Sequence, residues 1–161
     1  ASVANVFALT GRKKQLDFTC ASAPDSAPAL VGDSARIRQV LVNLVGNALK
    51  FTQKGSVTVE AWTRAFPAKP GLVRLYLCVS DTGGGIPEHM TDRVFERFTQ
   101  TDASYTRQFE GAGLGLAIVK RLVRAMGGAL AVDSTPGQGT DIYVHLPVAA
   151  VDDEEVDPAR R

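Results

Sequence analysis

The chain has 161 residues, of which 18 are Lys or Arg and 17 are Asp or Glu, so its formal net charge is +1. With 45% hydrophobic and 22% charged residues, the composition is typical of a folded globular domain and excludes a disordered, collagenous or coiled-coil chain. The balanced charge, the lack of an apolar run of the roughly 20 residues that span a bilayer, and a start unlike a signal peptide predict a cytoplasmic protein without nucleic-acid or direct membrane contact.

The first third of the chain predicts a strand followed by a long helix. Residues 16–20 alternate between apolar and polar with period two, which predicts the strand. Asp33 or Ser34 would then cap a helix over residues 35–51. The apolar residues of this helix recur at spacings of three and four and form one stripe: Ile37, Val40, Leu41, Leu44, Val45, Ala48 and Leu49.

The middle of the chain predicts two paired strands, a short helix and a long loop. Residues 57–61 and 72–79 both alternate, and their connection is short enough for an antiparallel pair. A short helix over residues 88–98 would place four apolar side chains on one side: Met90, Val94, Phe95 and Phe98. Residues 99–112 show no useful periodicity and predict a long loop.

The last third predicts a second strong helix over residues 114–126, stopped by two glycines, and strands at 130–132 and 142–146. Residues 149–161 carry an acidic run and are expected to be a disordered C-terminal linker that follows one domain over residues 1–148. The order β-α-β-β-α-loop-α-β-β predicts an α+β fold. We expect a two-layer sandwich with helices on one face of a mixed, mainly antiparallel sheet.

Two cysteines, Cys20 and Cys78, lie in alternating apolar stretches, without a CxxC pair or a cluster of histidines. We expect both to be buried free thiols, rather than a disulfide or metal ligands. Free thiols fit a reducing cytosolic compartment.

A polar group borders the apolar stripe of the long predicted helix. At about 100° per residue, Asn43, Asn47 and Lys50 fall within an arc of about 60°. Asparagine is a poor residue for a helix interior, so two of them one turn apart call for a local reason. A side-chain amide oxygen suits Mg²⁺, and a lysine suits phosphate. An ordinary solvated helix face remains the alternative for this segment alone.

A carboxylate and three glycines follow the second strand of the predicted pair. Asp81 comes where the strand ends, and Gly83 and Gly85 permit positive φ and the close approach of a flat ligand. A buried carboxylate beside Ile86 suits a planar base with an exocyclic amine, because the acid accepts its hydrogen bond and the isoleucine packs on the ring. A plain glycine-rich turn is the alternative.

A second set of glycines runs into the second strong helix. Gly111, Gly113 and Gly115 alternate with other residues, and free N–H groups at a helix start favour anions. The GxGxG spacing differs from the GxGxxG dinucleotide fingerprint, and the chain has no GxxxxGK[ST] phosphate loop. Alone, this segment is a weak signal for phosphate binding.

In order and spacing, these segments together resemble the catalytic ATP-binding domain of sensor histidine kinases, in the GHKL (Bergerat-fold) ATPase superfamily. The resemblance covers residues 9–147. The matching segments are 43–50 (N box), 81–87 (G1 box), 95–98 (F box), 111–116 (G2 box) and 137–140, which alone predicts only a hairpin turn but resembles the G3 turn.

The resemblance implies a protein that binds ATP and Mg²⁺. Asn47 would coordinate Mg²⁺, and Lys50 would contact phosphate. Residues 99–112 would form the ATP lid. The residues that would cradle the phosphates are Gly111, Gly113, Leu114, Gly115 and Leu116.

The resemblance also implies a site for adenine. Asp81 would receive the adenine amino group, while Gly83 and Gly85 would let the base approach. Ile86 would pack on the ring, and Thr140 would join the water network around it.

Gyrase-type and chaperone-type relatives carry a glutamate where this chain has Asn43, one turn before Asn47. An amide cannot take a proton at neutral pH, so water would lack a general base. A histidine acceptor is largely neutral at pH 7 and already carries a lone pair. The resemblance therefore favours a protein-histidine kinase over an ATP hydrolase. It implies Asn43, Asn47 and Lys50 as the catalytic residues.

Two positions depart from the family pattern. Glu110 stands beside the predicted phosphate site, and Gln100 stands where many relatives carry a basic residue. They keep open an alternative in which the chain senses nucleotide without transferring a phosphoryl group.

The acceptor histidine is not expected in this chain. Its two histidines, His89 and His145, lack a helical His-Glu context. The resemblance implies a monomeric catalytic fragment of a longer two-component kinase. Its partners would be a helical dimerisation domain that carries the acceptor histidine and, downstream, a response-regulator receiver domain.

Overall fold

The computed structural model describes residues 3–24, 26–27, 29–69, 71–91, 94 and 113–151. Within them the elements are α1 (Val3–Lys13), β1 (Asp17–Ser22), β2 (Ala29–Val31), α2 (Ser34–Phe51), β3 (Ser56–Ala65), β4 (Leu72–Asp81), a 3₁₀ helix (Glu88–Met90), α3 (Gly113–Ala125), β5 (Ala129–Thr135) and β6 (Gly139–Val151). No helix in this described part is both long and apolar enough to cross a membrane.

The strands form one mixed sheet in the order β1-β3-β4-β6. The other edge of the long strand β6 is shared by β5, beside its first half, and β2, beside its last residues. β1 runs parallel to β3, whereas the other pairings are antiparallel. The predicted α+β fold with a mixed, mainly antiparallel sheet is confirmed.

The hydrophobic core lies between one face of the sheet and the helices. Alternate residues of each central strand point into it, whereas their neighbours face the other side. The stripe predicted on α2 supplies much of the helix layer, and α3 and Phe7 of α1 add to it. The core contains Val40, Leu44, Val45, Leu49, Val57, Val59, Leu75, Leu77, Val79, Leu116, Val119, Val123, Ile142, Val144, Leu146 and Val148.

Both ends of α2 are capped. The Asp33 side chain accepts a hydrogen bond from the N–H of Arg36 at 3.0 Å, so Asp33 rather than Ser34 is the N-cap. At the other end, the Thr52 N–H donates to the Ala48 carbonyl. These caps fix where the helix that carries Asn43 and Asn47 begins and ends.

Two elements were not predicted, α1 and β2, and the predicted burial of Cys20 needs correction. Cys78 is buried and both cysteines are free, but Cys20 is exposed, not buried. Cys20 lies on the edge strand β1. The contact of this strand with α1, between the rings of Phe18 and Phe7 at a centroid distance of 6.4 Å, is made two residues before Cys20.

The other differences concern element ends. β6 runs through Val151, where it pairs with β2, and so extends three residues past the predicted domain end at 148. Of the predicted helix over residues 88–98, Glu88–Met90 form a 3₁₀ helix, and most of the remainder lies outside the described residues. The predicted lid over residues 99–112 also lies outside them, with Gln100, Glu110 and Gly111.

Candidate functional site

A row of three polar side chains closes one end of the core. Asp81, the last residue of β4, pairs with Thr140 of β6, which in turn pairs with Ser134 of β5. Directly opposed residues share a face of the sheet, and this row follows the buried pair of Val79 and Ile142 by two residues. The three polar groups therefore lie on the face that the helices cover.

Asp81 is a half-buried hydrogen-bond acceptor. Its Oδ1 accepts a bond from the N–H of Gly83 at 2.8 Å, and the carboxylate also accepts from the backbone N–H of Thr140. Burial is the main cause that raises the pKa of Asp81, and the nearby Asp141 raises it further, while the two N–H bonds oppose the shift. A carboxylate has about four acceptor positions, so Asp81 can accept further donors.

The glycine-rich loop after Asp81 is held against the turn between β5 and β6. The N–H of Gly137 donates to the Gly84 carbonyl at 2.8 Å, and the N–H of Ile86 donates to the Ser134 hydroxyl at 2.8 Å. Gly85 has a φ of 68°, and a Cβ there would collide with the Thr135 backbone. Ile86 is buried, with 8% of its surface exposed. The loop therefore requires glycine at 85 and places Ile86 at the end of the core.

Gly83 brings the loop into contact with the end of α2. A Cβ at Gly83 would lie 2.9 Å from Asp81 Oδ1, 2.9 Å from the Phe51 carbonyl oxygen and 3.2 Å from Thr52 Oγ1. Only glycine fits this position without a shift of the backbone. The close packing joins the carboxylate of β4 to the helix that carries the asparagines.

The two asparagines of α2 face the first turn of α3. A Cβ on Gly115 would lie 3.3 Å from Asn43 Oδ1 and 3.4 Å from Asn47 Nδ2. Asn43 donates its Nδ2 hydrogen to the Gln39 carbonyl at 2.9 Å, which fixes its amide. The buried Nδ2 of Asn47 has no hydrogen-bond partner among the described residues. Buried polar groups are usually satisfied, so this amide is suited to a ligand.

The start of α3 adds a favourable field at the same place. α3 begins at Gly113, and the first N–H groups of a helix lack partners within the helix and carry partial positive charge. Gly113 and Leu114 belong to the same first turn of α3 as Gly115, which faces the two asparagines. Leu116, in the same turn of α3, is a core residue with 6% of its surface exposed. Lys50 is exposed, and its ammonium lies 5.3 Å from the centre of the Phe51 ring.

The structure thus brings together two groups of the predicted residues. The base group contains Asp81, Gly83, Gly85, Ile86 and Thr140, and the amide group contains Asn43, Asn47 and Gly115, with the start of α3. The C-terminal half of α2 joins them, because Asn47 lies one turn before Phe51, whose carbonyl contacts Gly83. We name the region between the two groups, where the helices meet the end of the sheet, the cleft; an elongated ligand placed there could contact both groups.

A divalent cation fits the amide group only together with a ligand that brings its own oxygens. The described residues contain no cluster of three or more His, Cys, Asp or Glu side chains that could hold a metal. Asn47 supplies one amide oxygen, and Mg²⁺ commonly takes one or two protein ligands with phosphate and water. The donor set therefore fits Mg²⁺ bound to a nucleotide.

Sequence reasoning missed two hydroxyls of this site. Ser134 bonds the glycine-rich loop and Thr140, and the buried Thr52 has a hydroxyl oxygen without a partner among the described residues. Ser134 continues the alternation of Leu130 and Val132 towards the helices. That alternation could have marked it as a polar residue on a buried face.

Comparison with known proteins identifies the family. The model of the "Histidine kinase-, DNA gyrase B-, and HSP90-like ATPase" family matches residues 32–150. The sensory/regulatory protein RpfC of Xanthomonas campestris pv. campestris is 43% identical over 138 residues, which are 86% of this chain and 19% of RpfC. The sensor protein GacS of Pseudomonas syringae pv. syringae is 40% identical over 152 residues, 93% of this chain and 16% of GacS.

Among solved structures, full-length ShkA in complex with AMPPNP matches 92% of this chain and 29% of the ShkA chain, with a TM-score of 0.74 and 38% identity. The chain spans less than a fifth of the length of RpfC and of GacS. The family match covers both the amide group and the base group of the cleft. This chain therefore belongs to the histidine kinase-, DNA gyrase B- and HSP90-like ATPase family, and it matches the catalytic ATP-binding domains of sensor histidine kinases.

Proposed function

We propose that this chain binds Mg²⁺ and ATP and transfers the γ-phosphoryl group to a histidine of a separate helical domain. The observation that carries this proposal is the pair of amides at Asn43 and Asn47. Asn43 lies beside Asn47, and its amide donates a hydrogen bond to the Gln39 carbonyl. Because a side-chain amide does not take up a proton at neutral pH, neither residue can deprotonate water.

Binding would use both groups of the cleft. Asp81 would accept a hydrogen bond from the base amine, and Ile86 would pack on the base. Asn47 would supply one oxygen to the cation, and Lys50 and the N-terminal amides of α3 would offset phosphate charge. When bound, Mg²⁺ would neutralise charge that builds up on the phosphates.

Transfer to histidine needs no base to create the nucleophile, because a neutral imidazole already has a lone pair. The imidazole nitrogen would attack the γ-phosphorus in line, and the bond to the β–γ bridging oxygen would break. ADP would leave with that electron pair, and the other ring nitrogen would release its proton. Catalysis by this chain would then consist of positioning and electrostatic stabilisation.

The parent protein and its partners belong to the same proposal. The acceptor histidine would lie on a helical dimerisation domain, and a receiver domain would take the phosphoryl group afterwards. The length of the relatives compared with this chain supports a longer, multidomain parent. The catalytic domain itself would be a cytoplasmic monomer.

A phosphotransfer assay tests the proposal. The chain is incubated with γ-labelled ATP, Mg²⁺ and a helical acceptor domain, and the acceptor is examined for acid-labile, base-stable label. We expect label on the acceptor with the wild-type chain, loss of label with Asn47→Ala, and unchanged label with Gln53→Ala. The latter removes an exposed amide just beyond α2.

The alternatives predict other products. Free phosphate without an acceptor would identify a hydrolase, and tight nucleotide binding without label would identify a sensor of nucleotide. Full phosphotransfer by Asn47→Ala would overturn the metal assignment.

A further inference from the structure

Ser134 connects three parts of the base group through one hydroxyl. Its oxygen accepts the N–H of Ile86 at 2.8 Å, and it lies 2.9 Å from the Gly139 carbonyl oxygen and 2.9 Å from the Thr140 hydroxyl oxygen. Ser134 is part-buried, and Thr140 is 7% exposed. These bonds therefore lie within the packed end of the sheet.

One arrangement of protons satisfies all three contacts. The Gly139 carbonyl can only accept, so the single hydroxyl proton of Ser134 must point to it. The Ile86 N–H can only donate, and it uses one lone pair of the Ser134 oxygen. The Thr140 hydroxyl must then donate its own proton to the remaining lone pair of Ser134.

This arrangement determines what Thr140 can offer to a ligand. With its proton directed at Ser134, the Thr140 oxygen keeps only lone pairs for other partners. Its neighbour across the strands is Asp81, which is also an acceptor when ionised. Two adjacent side chains on the helix-covered face therefore accept hydrogen bonds, and neither donates one.

We infer that Ser134 is a positioning residue that holds the Thr140 hydroxyl as an acceptor and so makes the cleft select 6-amino purines over 6-keto purines. The inference rests on the proposed nucleotide binding. A 6-amino group can donate to these acceptors, directly or through water, whereas a 6-keto oxygen would place a third acceptor against them. If Ser134 were absent, the Thr140 hydroxyl could rotate and donate to a keto oxygen.

The test compares the affinity for ATP with that for ITP, which carries a 6-keto purine, in the presence of Mg²⁺ and without an acceptor domain. We expect the wild-type chain to prefer ATP. Ser134→Ala should reduce the ratio of the two affinities by about tenfold, because a mismatched buried hydrogen bond is relieved. Ser134→Thr, which keeps a hydroxyl, should retain the wild-type ratio.

A matched control is Ser80→Ala. Ser80 precedes Asp81 on β4, and its hydroxyl contacts Cys78 Sγ at 3.4 Å on the opposite face of the sheet. Its removal should leave the ATP-to-ITP ratio unchanged. A general loss of packing would lower both affinities together, so the ratio separates positioning from a structural effect.

If Ser134→Ala does not fold, Thr140→Val provides the same comparison, because it removes the acceptor oxygen itself. The inference predicts a reduced ATP-to-ITP ratio there too. An unchanged ratio in the folded variants, with ATP still bound, would overturn the role of Ser134. Failure of the wild-type chain to bind either nucleotide would instead overturn the proposed function.

Discussion

Asp81 shows how a single residue serves the site at a cost to the fold. Burial raises its pKa, and the backbone N–H groups of Gly83 and Thr140 partly offset the lost hydration. A desolvated carboxylate forms a strong hydrogen bond with a base amine, since charge-assisted bonds exceed neutral ones. Ligand affinity and stability should therefore respond differently to a change at this position.

Asp81→Asn should weaken ATP binding by about 1.5–3 kcal/mol, or roughly tenfold to a hundredfold, through loss of the charge-assisted hydrogen bond. Isothermal titration calorimetry with Mg²⁺ and ATP measures the change. Asp133→Asn, which removes an exposed carboxylate of β5, is the control and should bind as the wild type does. Unchanged affinity in Asp81→Asn would remove Asp81 from the site.

The raised pKa also predicts a pH dependence of stability without nucleotide. Since the native state binds the Asp81 proton more readily than the unfolded state does, the contribution of Asp81 to stability is full below its unfolded-state pKa. That contribution is lost as the pH rises through the higher folded-state pKa. The free energy of unfolding of the wild type, relative to Asp81→Asn, should therefore decrease across this window.

Urea unfolding of both proteins at a series of pH values measures this difference. A difference that is constant with pH, or that moves in favour of the wild type as the pH rises, would contradict the burial of Asp81.

At the residue scale, the sequence predicted those parts of the site that follow from short-range spacing. Asp81 and its glycines stand together in the chain, and so do Asn43, Asn47 and Lys50. Thr52 could not be found in that way, because Gly83, which lies against it, is on another element. The alternation of β5 marks Ser134 only as a polar residue on a buried face, because its hydrogen-bond partners also lie on other elements. For Ser134 these are the loop after β4 and the start of β6.

At the scale of elements, α2 links the two halves of the cleft. One face of the helix packs in the core, a second presents Asn43 and Asn47 to α3, and its C-terminal end contacts Gly83. The apolar period of α2 and α3 made both helices predictable. Their contact at Gly115 was not predictable, because it depends on how two distant helices pack.

Gly115→Ala should lower the affinity for nucleotide without lowering the stability of the fold. The added Cβ would press on the amides of Asn43 and Asn47, at 3.3 and 3.4 Å, and displace them. We expect the affinity for Mg²⁺ and AMPPNP to fall by about fivefold or more, because small displacements of a positioning group are costly. Because alanine favours the helix, the free energy of unfolding should not decrease.

Gly46→Ala is the matched control. Gly46 is exposed on α2, and a Cβ there would meet no atom within 4 Å. We expect stabilisation by about 0.5–1 kcal/mol and unchanged nucleotide affinity. Equal affinities for Gly115→Ala and Gly46→Ala would show that α3 does not position the asparagines.

Two elements escaped prediction for different physical reasons. α1 exposes Val6 and Leu9, at 53% and 59%, while Phe7 packs inwards, so its apolar residues do not form one simple stripe. β2 has three residues, too few to show a period, and depends on its pairing with the end of β6. Both are held by tertiary contacts rather than by local pattern.

At the scale of the whole molecule, the cleft lies where the helix layer meets one end of the sheet. The glycine-rich loop, the β5–β6 turn and the end of α2 bond to or contact one another there. The order of helices and strands along the chain predicted the sandwich of helices on a mixed sheet, and the order of motifs predicted one ligand site shared by the two groups. A ligand that contacts both groups would therefore link elements that are far apart in sequence and stabilise their packing.

Mg²⁺ and AMPPNP should accordingly raise the melting temperature of the whole chain. At a ligand concentration of 100 times Kd, the stabilisation expected is about 2.7 kcal/mol. Differential scanning calorimetry measures the shift, and AMPPNP without Mg²⁺ should give a smaller one. Identical shifts with and without the cation would argue against metal-assisted binding at Asn47.

A crystal structure of this chain with Mg²⁺ and AMPPNP would test the central claim most directly. The account predicts an adenine amino group within hydrogen-bonding distance of the Asp81 carboxylate, and a cation on the side-chain oxygen of Asn47 that also contacts the phosphates. A nucleotide bound away from Asp81, or a cation bound away from Asn47, would contradict it.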